Sequence, residues 1–152
     1  MNYWLLKSEP TTFSIDDLVK SDKKTTYWDG VRNYQVRNML RDDIKSGDKA
    51  FFYHSNCKPP GIAGIVDIVK SGYPDPSAFD KKSKYYDPKS TDEKPIWYCV
   101  DVKFVEKFDE VVSLDQIKNH PKLKNMVVAR KGSRLSITPV TKVEWDLILG
   151  ML

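Results

Sequence analysis

The run Tyr27-Trp28-Asp29-Gly30-Val31-Arg32-Asn33-Tyr34-Gln35 concentrates side chains that could recognise a flat heterocycle. Its aromatics can stack on a base, Asn33 and Gln35 can read a base edge, and Arg32 can hold a phosphate. Asp29-Gly30 is a turn signal, because glycine takes positive φ without penalty. A helical pattern follows, with Val36, Leu40 and Ile44 on one face and Arg37 and Arg41 on another. The start of that helix is a further place for a phosphate. Taken singly, Trp28 and Tyr34 read as core residues and the arginines as a solvated face. Taken together, they read as a site, with Val31 as an apolar wall beside it.

Two other clusters could join it. Lys7-Ser8-Glu9-Pro10 is an extended turn at a strand end, since Pro10 keeps Glu9 out of the helical region. Lys7 and Glu9 share a face if the strand continues, and as a surface ion pair would contribute little. In Arg130-Lys131-Gly132-Ser133-Arg134, a glycine turn places Arg130, Ser133 and Arg134 at one end of a sheet, where they suit a phosphate or a base. Lys81, Lys82, Lys84 and Lys89 form a basic patch in the long segment from Gly72 to Pro95, which reads either as a phosphate contact or as a solvated loop.

Catalytic chemistry is poorly supported. His54 beside Ser55 would be a base next to a nucleophile, but neighbours on a strand point to opposite faces. His54 reads instead as a hydrogen-bonding group in a pocket. No P-loop, G-x-G-x-x-G, G-x-S-x-G or H-E-x-x-H is present, and Cys57, Cys99 and His120 lack zinc-site spacing. No catalytic residue, metal or cofactor is expected.

The elements that must position these groups are marked locally. Ser14 with Asp17, Ser113 with Gln116 and Thr141 with Glu144 are capping boxes, each flanked by an apolar staple, so three helices start there. Tyr3–Leu6, Ala50–His54, Ile62–Val69, Ile96–Val105 and Leu135–Val140 read as strands, the last ended by Pro139. Ile96–Val105 alternates, with Tyr98, Val100, Val102 and Phe104 facing the core. Gly61 and Gly64 mark places where neighbours or a ligand come close. One helical turn is expected after Pro76. Short strands with few helices between them favour an α+β architecture, a small mixed or antiparallel barrel over a doubly wound sheet.

The 152 residues make one domain, 1–152, with 40% hydrophobic and 12% aromatic residues, a globular composition. A net charge of +4 is compatible with a nucleic-acid partner without demanding one. Two cysteines make no disulfide framework and point to a reducing compartment, with the cytoplasm expected. The N-terminus MNYWLLKSEP is neither a signal peptide nor a membrane span, and no membrane association is expected. A monomer is expected.

The blocks Tyr3–Pro10, Trp28–Gln35, Gly47-Asp48, Phe52–Ser55, Gly61-Ile62, Tyr73–Asp75 and Arg134–Ser136 together resemble the EVE domain family, in order and at matching spacing from Tyr3 to Leu149. Val36 departs from the alanine frequent in the family, which narrows what packs beneath the helix. Without the basic N-terminal extension of eukaryotic members, the chain resembles the bacterial single-domain form. The resemblance implies a PUA-like mixed β-barrel of five to six strands with flanking helices, related to the PUA, ASCH and YTH domains. It also implies a non-enzymatic module that reads a modified base in DNA or RNA, such as a methylated cytosine. Its pocket would be built from Lys7, Ser8, Glu9, Trp28, Val31, Arg32, Asn33, Tyr34, Gln35, Tyr53, His54, Ser55 and the loop carrying Arg130, Ser133 and Arg134. The alternative implied by ASCH relatives is a small hydrolase of modified nucleosides, with Lys7 and Glu9 as its working pair.

Overall fold

Consecutive residues of the central strands are buried on opposite sides, so the sheet must be covered on both faces. In the computed structural model, which describes residues 1–152, β1 (Tyr3–Ser8) sends Trp4 and Leu6 to one core and Leu5 to another. In β3 (Lys49–His54), Ala50 and Phe52 join the first core, and Phe51 and Tyr53 the second. This is the period-two rule applied to a strand with no wet face.

The elements run β1, α1 (Ile15–Lys20), β2 (Thr25–Tyr27), α2 (Tyr34–Asn38), β3, β4 (Gly61–Pro74), β5 (Tyr98–Ser113), α3 (Leu114–Asn119), β6 (Ile137–Val140) and α4 (Lys142–Leu149). The six strands lie in the order β2-β5-β4-β3-β1-β6. Only β1 and β3 pair in parallel; the other four ladders are antiparallel. The result is the expected α+β, PUA-like mixed sheet with flanking helices. Register shifts along the β4–β5 ladder bend the two long strands, as bulges do.

The three capping boxes form as the sequence dictates at Ser14, Ser113 and Thr141. α2 is capped by Asn33 through the Val36 N–H and continues as one wide π turn over Met39–Asp43. Val36, Leu40 and Ile44 are all fully buried in the first core.

Four expectations change. The strands are not all short, since β4 has 14 residues and β5 has 16. β6 runs through Pro139 to Val140, because an edge strand tolerates a residue without an N–H. Trp97 and Cys99 are buried too, so β5 begins with both faces covered. The close approaches at Gly61 and Gly64 are to β5 and to Ile15, leaving no room there for a ligand.

The segment after β4 is folded down onto the sheet. It makes the expected turn at Pro76–Ala78 and is pinned by Asp75, which is fully buried. Asp75 Oδ2 accepts from the Gly30 N–H at 2.9 Å and from Arg32 Nη1 at 3.0 Å. Its Oδ1 accepts from the Ser77 N–H at 2.8 Å and the Ser77 hydroxyl at 2.6 Å. One carboxylate thereby ties two segments 45 residues apart.

Candidate binding cleft

Where β1 ends, the chain leaves the sheet at Ser8-Glu9-Pro10, and where β2 ends it leaves at Trp28-Asp29-Gly30. Between these two exits lies a cleft of about 490 Å³. Lys7, Ser8, Glu9, Thr12 and Phe13 line one side, Thr26, Tyr27, Trp28 and Asp29 the other, and Lys84 and Tyr85 close it from the long segment. Aromatic surface, hydroxyls and charges of both signs thus meet in one concavity, the pattern of a site that holds a flat polar ligand.

Each wall has a structural cause. The Ser8 hydroxyl donates to the Phe13 carbonyl at 2.6 Å, folding the turn so that Phe13 faces the cleft. Trp28 is largely buried, its ring set edge-on against Phe52 at 5.4 Å between centroids, and its remaining surface lies in the cleft. Gly30 has φ +79°, and a Cβ there would sit 2.6 Å from the Tyr85 ring. Glycine is therefore required both for the turn and for the ring to lie against the backbone.

Arg32 holds that ring in place. Its Nε and Nη2 donate to the Tyr85 carbonyl at 3.2 and 2.6 Å, while Nη1 donates to Asp75 and to the Val31 carbonyl. Its guanidinium also lies 5.5 Å from the Tyr85 ring and 5.2 Å from the Trp97 ring. These commitments replace the phosphate-holding role expected of Arg32.

Of the expected site residues, Lys7, Ser8, Glu9 and Trp28 come together in the cleft. Val31 is in the core. Tyr34 is exposed, tilted over Trp97 at 4.9 Å, and Gln35 is exposed on α2, neither of them in the cleft wall. Tyr53 belongs to the second core, and burial pushes its phenol up to about 12. His54 Nε2 accepts the Ile15 N–H at 3.1 Å, satisfying a free donor of the first turn of α1, and burial lowers its pKa. Ser55 donates its backbone N–H to the Ser8 carbonyl. Tyr53, His54 and Ser55 therefore brace the cleft from behind. A phosphate at the start of α2 is also displaced, since Asn33 occupies that position and the helix has only five residues.

Asn33 instead joins Arg130, Lys131, Ser133 and Arg134 around a shallower groove. The loop continues into Ser136, whose carbonyl accepts the Lys7 N–H at 2.8 Å and so ties it to the end of β1. The Arg130 side chain donates only to the Asn125 carbonyl, and the Arg134 side chain makes no hydrogen bond or ion pair. Lys7 and Glu9 form no ion pair; Glu9 is exposed and accepts from the Asn56 amide at 3.4 Å.

Sequence reasoning passed over Thr12, Phe13, Thr26, Asp29 and Tyr85. Asp29 and Gly30 registered only as a turn signal, and nothing local reveals that Tyr85 returns across 55 residues to pack on Gly30.

The charges in the cleft are shifted by their surroundings. Burial lowers the pKa of Lys7. Burial, then the nearby Asp75 charge, raises that of Asp29. Asp29 in turn is the main cause of the raised Tyr27 phenol.

Residues 2–151 match the EVE domain model. The chain is 48% identical to chicken (Gallus gallus) thymocyte nuclear protein 1 over 98% of its own length and 68% of that protein's. A crystal structure of a Pseudomonas syringae protein superposes with a TM-score of 0.91 at 50% identity, covering 98% of both chains. The crystal structure of the human thymocyte nuclear protein 1 in complex with DNA containing 5-methylcytosine superposes equally well, with a TM-score of 0.91 at 46% identity over 99% of this chain and 97% of that one. With nearly its whole length matched in sequence and in fold, this chain belongs to the EVE domain family.

Proposed function

We propose that this protein is a non-enzymatic nucleic-acid-binding module that captures a modified base, of the 5-methylcytosine kind, in the cleft between Lys7–Phe13 and Thr26–Asp29. The observation that carries the reading is the cleft itself, sized and lined for one flat heterocycle, in a chain similar to a protein crystallised with methylated DNA. A base in DNA or RNA leaves its stack at a cost of a few kcal/mol. Aromatic surface from Trp28 and Tyr85 offsets that cost, stacking contributing roughly 1–3 kcal/mol per base. Phe13 supplies the apolar wall for an added methyl, in place of Val31. Lys7 and Lys84 at the cleft and Arg130, Lys131 and Arg134 along the groove meet flanking phosphates, positioning the strand without reading it.

The fit to DNA or RNA is by a single domain acting as a monomer. No helix is long and apolar enough to cross a membrane, and the free Cys57 and Cys99 suit a reducing compartment where nucleic acid is met.

The test is a titration of oligonucleotides that differ only in one methyl group. A buried methyl contributes roughly 0.8 kcal/mol, so the modified strand should bind about fourfold tighter. Tyr85→Ala should weaken both strands while leaving the core intact. Equal affinity of the wild type for methylated and plain strands would sink the modified-base reading.

A second reading, hydrolysis of a modified nucleoside, has one observation in its favour: burial lowers the Lys7 pKa inside the cleft, making the amine less basic and so more often neutral, as a general base must be. Its partner Glu9 is exposed and bonded elsewhere. Acetate released from acetylated cytidine by the wild type but not by Lys7→Met would favour that reading.

A further inference from the structure

One carboxylate in the cleft wall is half-buried and has no ion pair within the protein. The Gly30 amide, the Arg32 guanidinium and the Ser77 hydroxyl all bond Asp75, and the Ser77 hydroxyl and the Arg32 charge act on Asp29 only as secondary influences that favour its ionised form. Asp29 forms no ion pair, although it lies half-buried in the cleft wall directly after Trp28. The other carboxylate of the cleft, Glu9, is exposed and already accepts from Asn56. A half-desolvated carboxyl with acceptor capacity to spare beside an aromatic wall is suited to take hydrogen bonds from a ligand edge.

We propose that Asp29 is the specificity-determining residue of this cleft, reading the edge of a cytosine-type base, where an exocyclic amino group sits next to an unprotonated ring nitrogen. The inference rests on the base-capture reading above and specifies how the base is chosen. One Asp29 oxygen accepts from the amino group, as acidic side chains do with the cytosine amine. The second oxygen and the ring nitrogen then share one proton, as O–H···N or as O⁻···H–N⁺. Either form makes two hydrogen bonds. Asp29 enters ionised, and that proton is taken up from water on binding. No covalent bond between heavy atoms changes.

The surroundings favour this sharing. Burial and the Asp75 charge raise the Asp29 pKa and outweigh its own amide, the Ser77 hydroxyl and the Arg32 charge, which lower it, so a proton is taken up there more readily than at a free carboxylate. The groups facing Asp29 are Asp75 and Arg32 behind the Gly30 turn, Tyr27 on its own strand, Cys99 on β5, and Lys7, Glu9 and Lys84 across the cleft. Thymine is the informative competitor. It has the ring and methyl of 5-methylcytosine, but its edge pairs a ring N–H with a carbonyl oxygen. An ionised Asp29 can accept from that N–H and then faces the carbonyl lone pairs, with no basic nitrogen to share a proton.

The experiment uses fluorescence anisotropy with three oligonucleotides identical except for 5-methylcytosine, cytosine or thymine at one position. Wild type, Asp29→Asn and Asp29→Ala are titrated with each, and thermal unfolding checks that each variant is folded. Wild type should prefer 5-methylcytosine over thymine by about tenfold. Asn offers one donor and one acceptor to either edge. Asp29→Asn should therefore hold its affinity for the 5-methylcytosine strand to within a few-fold and lose the discrimination against thymine. It should keep the preference for methylated over plain cytosine, which the apolar wall supplies. Asp29→Ala should bind both methylated strands at the weaker, thymine level. If Asp29→Ala fails to fold, the Asn variant decides. A wild type that binds thymine as well as 5-methylcytosine, or an Asp29→Asn variant that keeps the wild-type ratio, overturns the role of Asp29. A wild type blind to the methyl group on cytosine refutes the modified-base reading instead, and one that binds none of the three strands overturns both.

Discussion

Asp75 is the residue on which the cleft's geometry turns, and its removal has a calculable consequence. The carboxylate is fully buried and accepts four hydrogen bonds, two to each oxygen. Asp75→Ala leaves the buried Ser77 amide and the half-buried Gly30 amide without partners, an unsatisfied buried donor costing roughly 1–3 kcal/mol and a half-buried one less. Ser77 Oγ can rotate to a new acceptor, and Arg32 keeps its bonds to the Tyr85 and Val31 carbonyls. The Arg32 side chain is also 24% exposed, so water softens its loss. The expected destabilisation is about 3–4 kcal/mol, at the lower part of the range for breaking a buried pair. For a domain of this size each kcal/mol lowers Tm by roughly 2–4 °C, so the fall is about 6–16 °C. Asp75→Asn should recover little of this despite its matching shape. Both oxygens face donors, so either amide orientation sets an N–H against another N–H. Urea denaturation of wild type, both Asp75 variants, Arg32→Ala and the double mutant measures the stability and the coupling between the two residues. An Asp75→Asn variant within about 1 kcal/mol of wild type would refute the reasoning, since it would mean that charge and acceptor count do not hold the turn.

Other consequences follow from single contacts. Gly30→Ala should reduce stability by about 1–3 kcal/mol through its left-handed φ, and should lower nucleic-acid affinity further by pushing the Tyr85 ring aside, measured by unfolding and anisotropy on the same samples. Trp28→Ala should cost roughly 3–5 kcal/mol because most of the indole is core, so Trp28→Phe is the variant whose binding can be read, and calorimetry separates the two effects. Native protein should react with a thiol reagent at Cys57 alone. Cys99 is fully buried with its thiol pushed up to about 12, and so stays protonated and inert at neutral pH until the chain is unfolded. Arg134→Ala should reduce the slope of log affinity against log salt by about 1 without changing the preference for the methylated base, if the groove tracks phosphates.

The sequence alone determined what depends on neighbours a few residues apart. Ser14, Ser113 and Thr141 announce their helices because a capping box is closed by residues three positions apart, and the structure forms all three. Val36, Leu40 and Ile44 announce a buried stripe because helical geometry fixes their common face. The family blocks located one end of the sheet correctly, so Lys7, Ser8, Glu9 and Trp28 could be grouped in advance. The tertiary structure alone decided which polar groups remain free. Arg32 and Asp29 look alike in the sequence, each a charge in a rich motif. Yet Asp75, arriving from 43 residues further on, takes the guanidinium and leaves Asp29 without an ion pair. In the same way His54 is spent on the Ile15 amide and Asn33 on the Val36 amide. A side chain's type is written locally, but its availability depends on which distant group reaches it first, and that is a property of packing.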